Sequence, residues 1–465
     1  MAKGTEKQSG DVMREYKESE EKRERGMGKG LRLGRNLILL LLTLVIILFF
    51  MFFYVRSILG QFLATHPDPG ISNQEAPKEP EDDGRIRITA SGDIIYHDSL
   101  IQGGKTQDGY DFSSNYASVK PLISSADLAI GDFEGVVTDQ VKPAGYPNFN
   151  APGQVVSAIK DAGFDVMDLA NNHILDQGIH GALDTRQAFE DAGISTIGIK
   201  DDKDSILIRE VKGIKVAILG FSYGYNNKNG AGKGVTAVQR QQYMQMLDEN
   251  YVKEKIQTAR QQADLVIVMP HKGTEYSEKV SKADQTLYHK MIDWGADLIF
   301  GGHPHVVQAT EKVTRDGQDK FIIYSMGNLL SNQVKEVMGN DKSQRGTIIE
   351  AVLKKDASGQ LMIEDVLSHP VWVQRTEKGA AADAAGNAAS GKSGTEKSTG
   401  KKTAAKSKSA AKLYDIKTLL CTDYMEGGPN QDQVGDSERE AIKAAYEAIQ
   451  KTVSADGEGS VWKNR

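Results

Sequence analysis

The chain has 465 residues, a formal net charge of −6 and one cysteine. This length allows one large core together with extensions. The lone Cys421 excludes an intramolecular disulfide and cysteine-based zinc sites. The modest net charge neither favours nor excludes a nucleic-acid partner.

The N-terminal part predicts a membrane anchor. Residues 1–36 mix Lys and Arg with Glu, which is typical of a loose basic tail. Residues 37–55, LILLLLTLVIILFFMFFYV, form an uncharged apolar run long enough to cross a bilayer as one helix. The basic flank before it predicts a cytoplasmic N-terminus and an extracellular main domain, a location that argues against nucleic acid. A cleaved signal peptide is the alternative, but the long run favours an uncleaved, single-pass anchor in the cell membrane.

Residues 56–84 are rich in Pro, Asp and Glu towards their end and predict a solvated stalk. From Arg85 on, short apolar runs alternate with helical patterns, which indicates an α/β domain over residues 85–375. Gly163, Gly193 and Gly295 each follow a helical pattern and predict helix ends. We predict strands at 86–91, 126–130, 164–170, 194–199, 215–221, 263–269, 296–300 and 320–326, and helices at 154–162, 179–192, 242–263 and 282–294.

Residues 376–412 have no large apolar side chain and carry eight lysines against three acids, so they predict a disordered insertion. A solvated spacer and a segment that contacts an anionic polymer are both compatible with this composition. Residues 413–465 then predict the last strand, at 413–420, and a C-terminal helix at 437–453 with Ser437 as its N-cap. The insertion could instead separate a small C-terminal appendage from the domain.

Polar side chains follow the predicted strands at the points where these strands end. In α/β sheets, ligands bind beyond the carboxyl ends of the strands. Several exits that each supply an Asp, Glu, Asn or His therefore predict one shared polar site. The residues at these exits are Asp93, His97, Asp132, Glu134, Asn172, His173, Asp176, His271, Glu275, His303, His305, Ser325 and Asn328.

This mixture of carboxylate, amide and imidazole groups predicts a site for a divalent metal, Mn, Fe, Zn or Mg, with one or two ions. Two ions could clamp an oxyanion and lower the pKa of a bound water. The chain has no G-x-S-x-G elbow and no phosphate-binding G-x-x-x-x-G-K-[ST] loop. Glycosidase-type catalysis by two carboxylates, such as Asp93 and Glu134, stays an alternative because the sequence does not give their separation.

The ordered motifs resemble the bacterial capsule synthesis protein family typified by CapA and PgsA, the poly-γ-glutamate synthesis proteins. The resemblance covers roughly residues 85–375 and resumes at Leu413. Its motifs are SGD93, ADLAIGDFE134G, LANNH173ILD176QG, H271KGTE275Y, GGH303PH305VVQ and YS325MGN328.

The resemblance implies a fold similar to calcineurin-like metallophosphatases, a four-layer α/β/β/α sandwich with a dinuclear metal centre. It implies metal ligands at Asp93, Glu134, Asn172, His271, His303 and His305, and a proton donor at His173. His97 is a further candidate ligand, although it lies four residues after Asp93 and not two. The second motif supplies Asp132 and Glu134 but no aspartate at the usual bridging place, which leaves the second ion open.

Two functional hypotheses follow. The first is a metal-dependent hydrolase or transferase that acts on an envelope polymer, with His173 and Asp176 as catalytic residues and Glu275, Ser325 and Asn328 as substrate-binding residues. The second is a non-catalytic subunit that binds the anionic polymer within a capsule synthesis complex. Both predict other membrane subunits of that complex as partners. The resemblance supports the role in polymer synthesis more directly than any reaction.

Overall fold

The computed structural model describes residues 83–200, 206–226, 232, 234–378, 412–453 and 460–463. The predicted basic tail, membrane anchor, almost all of the stalk and nearly all of the Lys-rich insertion lie outside these residues. No helix in the described part of the chain is long and apolar enough to cross a membrane.

The strands are β1 (Arg85–Ile94), β2 (Leu128–Phe133), β3 (Val166–Asp168), β4 (Ser195–Ile197), β5 (Leu207–Val211), β6 (Ile214–Ser222), β7 (Leu265–His271), β8 (Leu298–Phe300), β9 (Thr310–Arg315), β10 (Gln318–Ile323), β11 (Asn328–Leu330), β12 (Arg345–Lys355), β13 (Leu361–Glu377), β14 (Tyr414–Leu420) and β15 (Ser460–Lys463). The helices are α1 (Asp98–Gly103), α2 (Lys120–Ser124), α3 (Gln154–Ala162), α4 (Gly178–Asp191), α5 (Ala237–Tyr243), α6 (Glu249–Gln262), α7 (Lys282–Trp294), α8 (Lys335–Met338), α9 (Cys421–Tyr424) and α10 (Asp436–Val453), with 3-10 turns at Ser113–Tyr116, Lys342–Gln344 and Gln431–Gln433.

Two mixed sheets contain these strands. The first has the order β14-β13-β12-β1-β2-β3-β4, and β11 and β15 pair with β1 and β13. The second has the order β5-β6-β7-β8-β10-β9. The central strands β1 to β4 run parallel to one another, as do β6, β7, β8 and β10. Parallel strands share the direction of their carboxyl ends, so the loops that follow them emerge at one edge of each sheet.

The two sheets pack against each other through one apolar core. This core joins Ile88 and Ile130 of the first sheet to Ile218, Ile267 and Phe300 of the second. β2 and β7 are buried at every position, and their sequences therefore do not alternate between apolar and polar residues. Full burial of each such side chain stabilises the fold by about 1.5–3 kcal/mol.

Helices cover the outer faces of both sheets. On the second sheet, Ile256 of α6 and Tyr288 of α7 pack with Leu219 of β6. On the first sheet, the ring of Phe189 in α4 lies 5.1 Å from that of Phe133 in β2, and Ile442 of α10 packs with Trp372 of β13. The structure is therefore a mixed α/β fold, as the sequence predicts.

Three predictions of local structure differ from what is observed. Ser437 is not the N-cap of the C-terminal helix, because α10 begins one residue earlier, at Asp436. The helix predicted at 242–263 is wrong, because α5 and α6 are separate and Asp248 caps α6 by accepting a hydrogen bond from the backbone N–H of Tyr251. The sequence reading also missed β5, β9, β11, β12, β13 and β15. By contrast, α3 and α7 have the predicted bounds, and Gly163, Gly193 and Gly295 all have positive φ angles.

Candidate metal centre

Three buried aspartates lie side by side at the carboxyl ends of the first sheet. Asp93 of β1 is the cross-strand partner of Asp132 in β2, and Asp132 is the partner of Asp168 in β3. All three are at most 2% exposed. Glu134 follows β2 directly and is buried as well. Parallel pairing in register therefore places a row of carboxylates at one edge of the sheet.

The second sheet supplies the imidazoles. His271 ends β7, and His303 and His305 belong to the loop after β8. His303 and His305 have φ angles of 92° and 59°, a region that residues other than glycine rarely occupy. Such strain persists where the surrounding structure holds it and is concentrated at functional sites.

Direct contacts join the two sheets at this point. The Nδ1 atom of His271 lies 2.9 Å from Oδ2 of Asp132, and its Nε2 atom lies 2.8 Å from Oδ1 of Asn172. The Nδ1 atom of His305 lies 2.8 Å from Oδ2 of Asp93. The site is thus built from strand ends of both sheets.

The buried charges shift one another's pKa values. Burial opposes the charged form of His305, but the Glu134 and Asp93 carboxylates raise its pKa to about 9. Burial raises the pKa of Asp132 well above its ordinary value, and the charges of Asp93 and Glu134 raise it further. Burial, followed by the neighbouring imidazoles of His271 and His305, lowers the pKa of His303. So many ionisable groups in one buried place are typical of a functional site.

Four buried atoms at this site have no hydrogen-bond partner in the described structure: Oδ1 of Asp132, Oε2 of Glu134, Oδ2 of Asp168 and Nδ1 of His303. Buried polar atoms are normally satisfied, so each such exception needs a ligand or another explanation. Gly302 lies against two carboxylates of this site, since a Cβ at this position would lie 2.7 Å from Oδ2 of Asp132 and 2.9 Å from Oδ1 of Asp93.

The donor atoms fit a divalent cation. Within the described residues, four groups have ligand atoms that all lie within 4.8 Å of one another. Carboxylate and imidazole together suit Mn, Fe or Zn, which share these ligand types. The groups are Asp93, Asp132 and His271; Asp93, Glu134 and His305; Glu134, His271 and His303; and Glu275, His303 and His305.

His173 and Asp176 form a pair beside these groups. The Nδ1 atom of His173 lies 2.7 Å from Oδ2 of Asp176, which also accepts a hydrogen bond from the backbone N–H of Phe149. The Nε2 atom of His173 lies 3.9 Å from Oε1 of Glu134. Burial disfavours the imidazolium form of His173, but Asp176 and Glu134 outweigh this effect and raise its pKa. The pair can therefore hold a proton at the edge of the carboxylate cluster.

The other predicted site residues lie around this centre. His97 belongs to none of the four groups, and its Nδ1 atom accepts a hydrogen bond from the backbone N–H of Asn332. Asn328 places its Oδ1 atom 3.1 Å from Nδ1 of His305 and donates its amide hydrogens to neighbouring loop residues. Ser325 is fully buried and accepts a hydrogen bond from the backbone N–H of Gly327. Asn328 and Ser325 thus contact protein groups, whereas Glu275 is exposed.

Three residues at this centre were not predicted as metal ligands or catalytic residues. Ligand atoms of Asp132 lie within 4.8 Å of those of Asp93 and His271, so Asp132 could hold an ion together with them. Asp168 lies next to Asp132 on the neighbouring strand. Its position at the end of β3 is the feature that could have indicated it. The amide nitrogen of Asn226 lies 3.2 Å from Nε2 of His173, which no motif indicated.

Comparison with known proteins identifies the family of this chain. Residues 87–333 match the family described as bacterial capsule synthesis protein PGA_cap. This chain belongs to that family. The matched region contains every residue of the four metal-capable groups.

Two of the relatives of this chain are named as capsule or PGA biosynthesis proteins. The capsule biosynthesis protein CapA of Bacillus anthracis is 31% identical over 270 residues, which are 56% of this chain and 62% of that protein. The chain thus aligns with less than two thirds of that relative. The PGA biosynthesis protein CapA of Bacillus subtilis is 29% identical over 303 residues, 63% of this chain and 75% of that protein.

Among solved structures, a predicted 5'-nucleotidase from Staphylococcus aureus in complex with α-ketoglutarate aligns with a TM-score of 0.37 and 12% identity, covering 61% of this chain and 53% of that one. The protein TT1561 of Thermus thermophilus aligns with a TM-score of 0.30 and 10% identity, covering 57% of this chain and 93% of that one. Likeness at this level does not define a shared fold.

Proposed function

We propose that this protein acts in the synthesis or export of an anionic polymer of the bacterial envelope, a capsule or poly-γ-glutamate, through a divalent metal centre. The observation that carries the proposal is that buried carboxylates and imidazoles meet at the ends of two sheets, and that four of these side chains have a polar atom without a hydrogen-bond partner in the described structure. Family membership and the names of the two relatives support the polymer.

The arrangement of layers supports a likeness to metallophosphatases. Two sheets pack face to face and helices lie on their outer faces, which is compatible with the four-layer α/β/β/α sandwich implied by the motifs. The reaction we propose is hydrolysis or group transfer on the polymer chain. A bound divalent ion would supply Lewis-acid polarisation of the reacting group.

The chain's own residues provide the remaining chemistry. Asp93, Asp132, Glu134, His271, His303 and His305, with Asn172, would hold the ion. His173 would donate a proton from Nε2 to the leaving group, because Asp176 accepts at Nδ1 and fixes the orientation of the ring. The ring of Phe149 packs edge-to-face against that of His173, with 4.6 Å between the ring centroids, and helps to hold the imidazole in place.

We further propose that the protein is anchored in the cell membrane by residues 37–55 and that its main domain faces the exterior, where it meets the polymer and other membrane subunits. Protease treatment of intact cells tests this. Cleavage of the domain with protection of the N-terminal tail is expected, and full protection of the chain would contradict the orientation.

The test of the centre uses the full chain in detergent, with elemental analysis of bound metal. The wild type should contain a transition metal, and the double substitution His303→Ala with His305→Ala should lose it. His289→Ala is the matched control, because His289 lies on α7 and pairs with Glu311 away from the site. Metal retained by the double variant would contradict the assignment.

Catalysis is tested by incubating the protein with poly-γ-glutamate and measuring chain length by gel filtration. Shortened or transferred chains in the wild type, but not in His173→Gln, support the enzyme. A wild type that binds the polymer yet leaves its length unchanged would instead favour the non-catalytic subunit.

A further inference from the structure

Glu275 lies apart from the other acidic residues of the centre because it is exposed. Its carboxylate nonetheless belongs to a group with His303 and His305 in which all ligand atoms lie within 4.8 Å of one another. No Lys or Arg among the described residues pairs with Glu275. An exposed carboxylate therefore lies close to two buried imidazoles.

The loop that carries Glu275 is tied to the loop that carries the histidines. The backbone N–H of Lys272 donates to the carbonyl oxygen of Gly302 (3.1 Å), and that of Tyr276 donates to the carbonyl oxygen of Pro304 (2.8 Å). Gly273 lets the two loops approach, since a Cβ there would lie 2.7 Å from Cγ of Pro304. These contacts fix the backbone on both sides of Glu275.

Two tyrosines stand beside this group. The ring of Tyr223 lies 4.5 Å from that of His303, and the ring of Tyr276 lies 5.7 Å from that of His305. Each tyrosine is 44% exposed. Glu275 and both tyrosine rings are exposed, so this side of the histidine pair is open to solvent.

The His303 imidazole provides an independent sign of a ligand. It is 2% exposed, and its Nδ1 atom has no hydrogen-bond partner in the described structure. In the other three groups all residues are buried, so an ion there would be enclosed by protein. Three protein ligands on one side, with open positions on the other, are typical of metal sites that exchange ligands with solvent or substrate.

We infer that Glu275 is a metal ligand and that, with His303 and His305, it forms an outer, solvent-accessible divalent cation site distinct from the enclosed position around Asp93, Asp132 and His271. This inference rests on the proposed metal centre. It changes the role of Glu275 from substrate contact to ligand of the ion that meets the substrate.

The experiment titrates the chelator-stripped full chain with Mn²⁺ and, separately, with Zn²⁺ by isothermal calorimetry. Wild type should bind the cation in a tight and a weaker step. Glu275→Gln should weaken the weaker step by at least about 10-fold, the lower bound for losing even an indirect partner of a metal site. Glu275→His, which returns a ligand, should restore it.

Glu278→Gln is the matched control, because Glu278 is an exposed carboxylate of the same loop that pairs with Lys342. Glu278→Gln should bind each cation with the same two affinities as the wild type. Thermal melting should show that all variants are folded. Unchanged binding by Glu275→Gln would overturn the outer site and leave the enclosed centre standing. A wild type that binds neither cation would overturn both proposals.

Discussion

The Nδ1 atom of His305 lies 2.8 Å from Oδ2 of Asp93, which joins the loop after β8 in the second sheet to the end of β1 in the first. Both side chains are buried, and each stabilises the charged form of the other: Asp93 helps to raise the pKa of His305, and His305 lowers the pKa of Asp93 against the effect of burial.

Asp93→Asn should therefore destabilise the metal-free protein by about 3–5 kcal/mol, the usual cost of removing one partner of a buried ion pair. Denaturant unfolding measures this, and NMR titration of the His305 ring should show a pKa below the wild-type value. Asp161→Asn, which removes an exposed partner of Lys120, should cost less than about 1 kcal/mol. Equal losses in the two variants would contradict the coupling between Asp93 and His305.

Gly302→Ala should weaken divalent cation binding because its Cβ would enter the space beside Asp93 and Asp132. The carboxylates must move to avoid it, and displaced ligands bind less tightly. Calorimetric titration with Zn²⁺ measures the loss. Gly224→Ala is the control, since a Cβ at Gly224 would meet nothing within 4 Å. Wild-type affinity in Gly302→Ala would mean that the ion binds elsewhere.

His97 should make the fold sensitive to acid. Burial, followed by the charge of His305, lowers its pKa from 6.5 to about 4. Between these values the unfolded chain binds a proton that the folded chain does not, so stability falls as pH decreases from about 6.5 to about 4, by about 3 kcal/mol in total.

His97→Gln should reduce this slope, measured by denaturant unfolding at several pH values in that window. His369→Gln, a change in β13 that keeps His97, should preserve the slope. A variant His97→Gln with the wild-type pH dependence would show that His97 is not the group responsible.

Asp176→Asn should lower the pKa of His173, because the hydrogen bond and charge of Asp176 are causes of its rise. The asparagine oxygen can still accept the backbone N–H of Phe149, so the loop should keep its place. NMR titration of the imidazole in metal-free protein measures the change. Asp191→Asn, at the far end of α4, should leave the titration of His173 as it is in the wild type.

The structure brings together residues that the sequence predicted for the site, whereas several strands around them were missed. Motifs at strand exits named His271, His303 and His305 because polar residues directly after apolar runs are visible in the sequence. The alignment of Asp93, Asp132 and Asp168 depends on strand register, which arises only when β1, β2 and β3 pair. Asp168 was overlooked for this reason.

The long hairpin of β12 and β13 was missed for a related reason. β12 pairs with β1 on one side and with β13 on the other over many residues, and this pairing favours the extended conformation at polar positions such as Glu350 and His369. Composition alone does not reveal that support, since strand preference depends strongly on neighbours. The single helix predicted across residues 242–263 failed because the N-cap at Asp248 starts a new helix.

The distribution of ligands over two sheets has a mechanical consequence. An ion held by Asp93 and Asp132 from one layer and by His271 and His305 from the other would clamp the layers together at one end, and it would be released when they separate. Because such an ion would bind only the folded state, the free energy of unfolding would rise with the concentration of free cation. The increase is about 2.7 kcal/mol when this concentration is 100 times the dissociation constant. A chelator would loosen the sandwich itself, so the supply of metal would govern how long the folded domain survives.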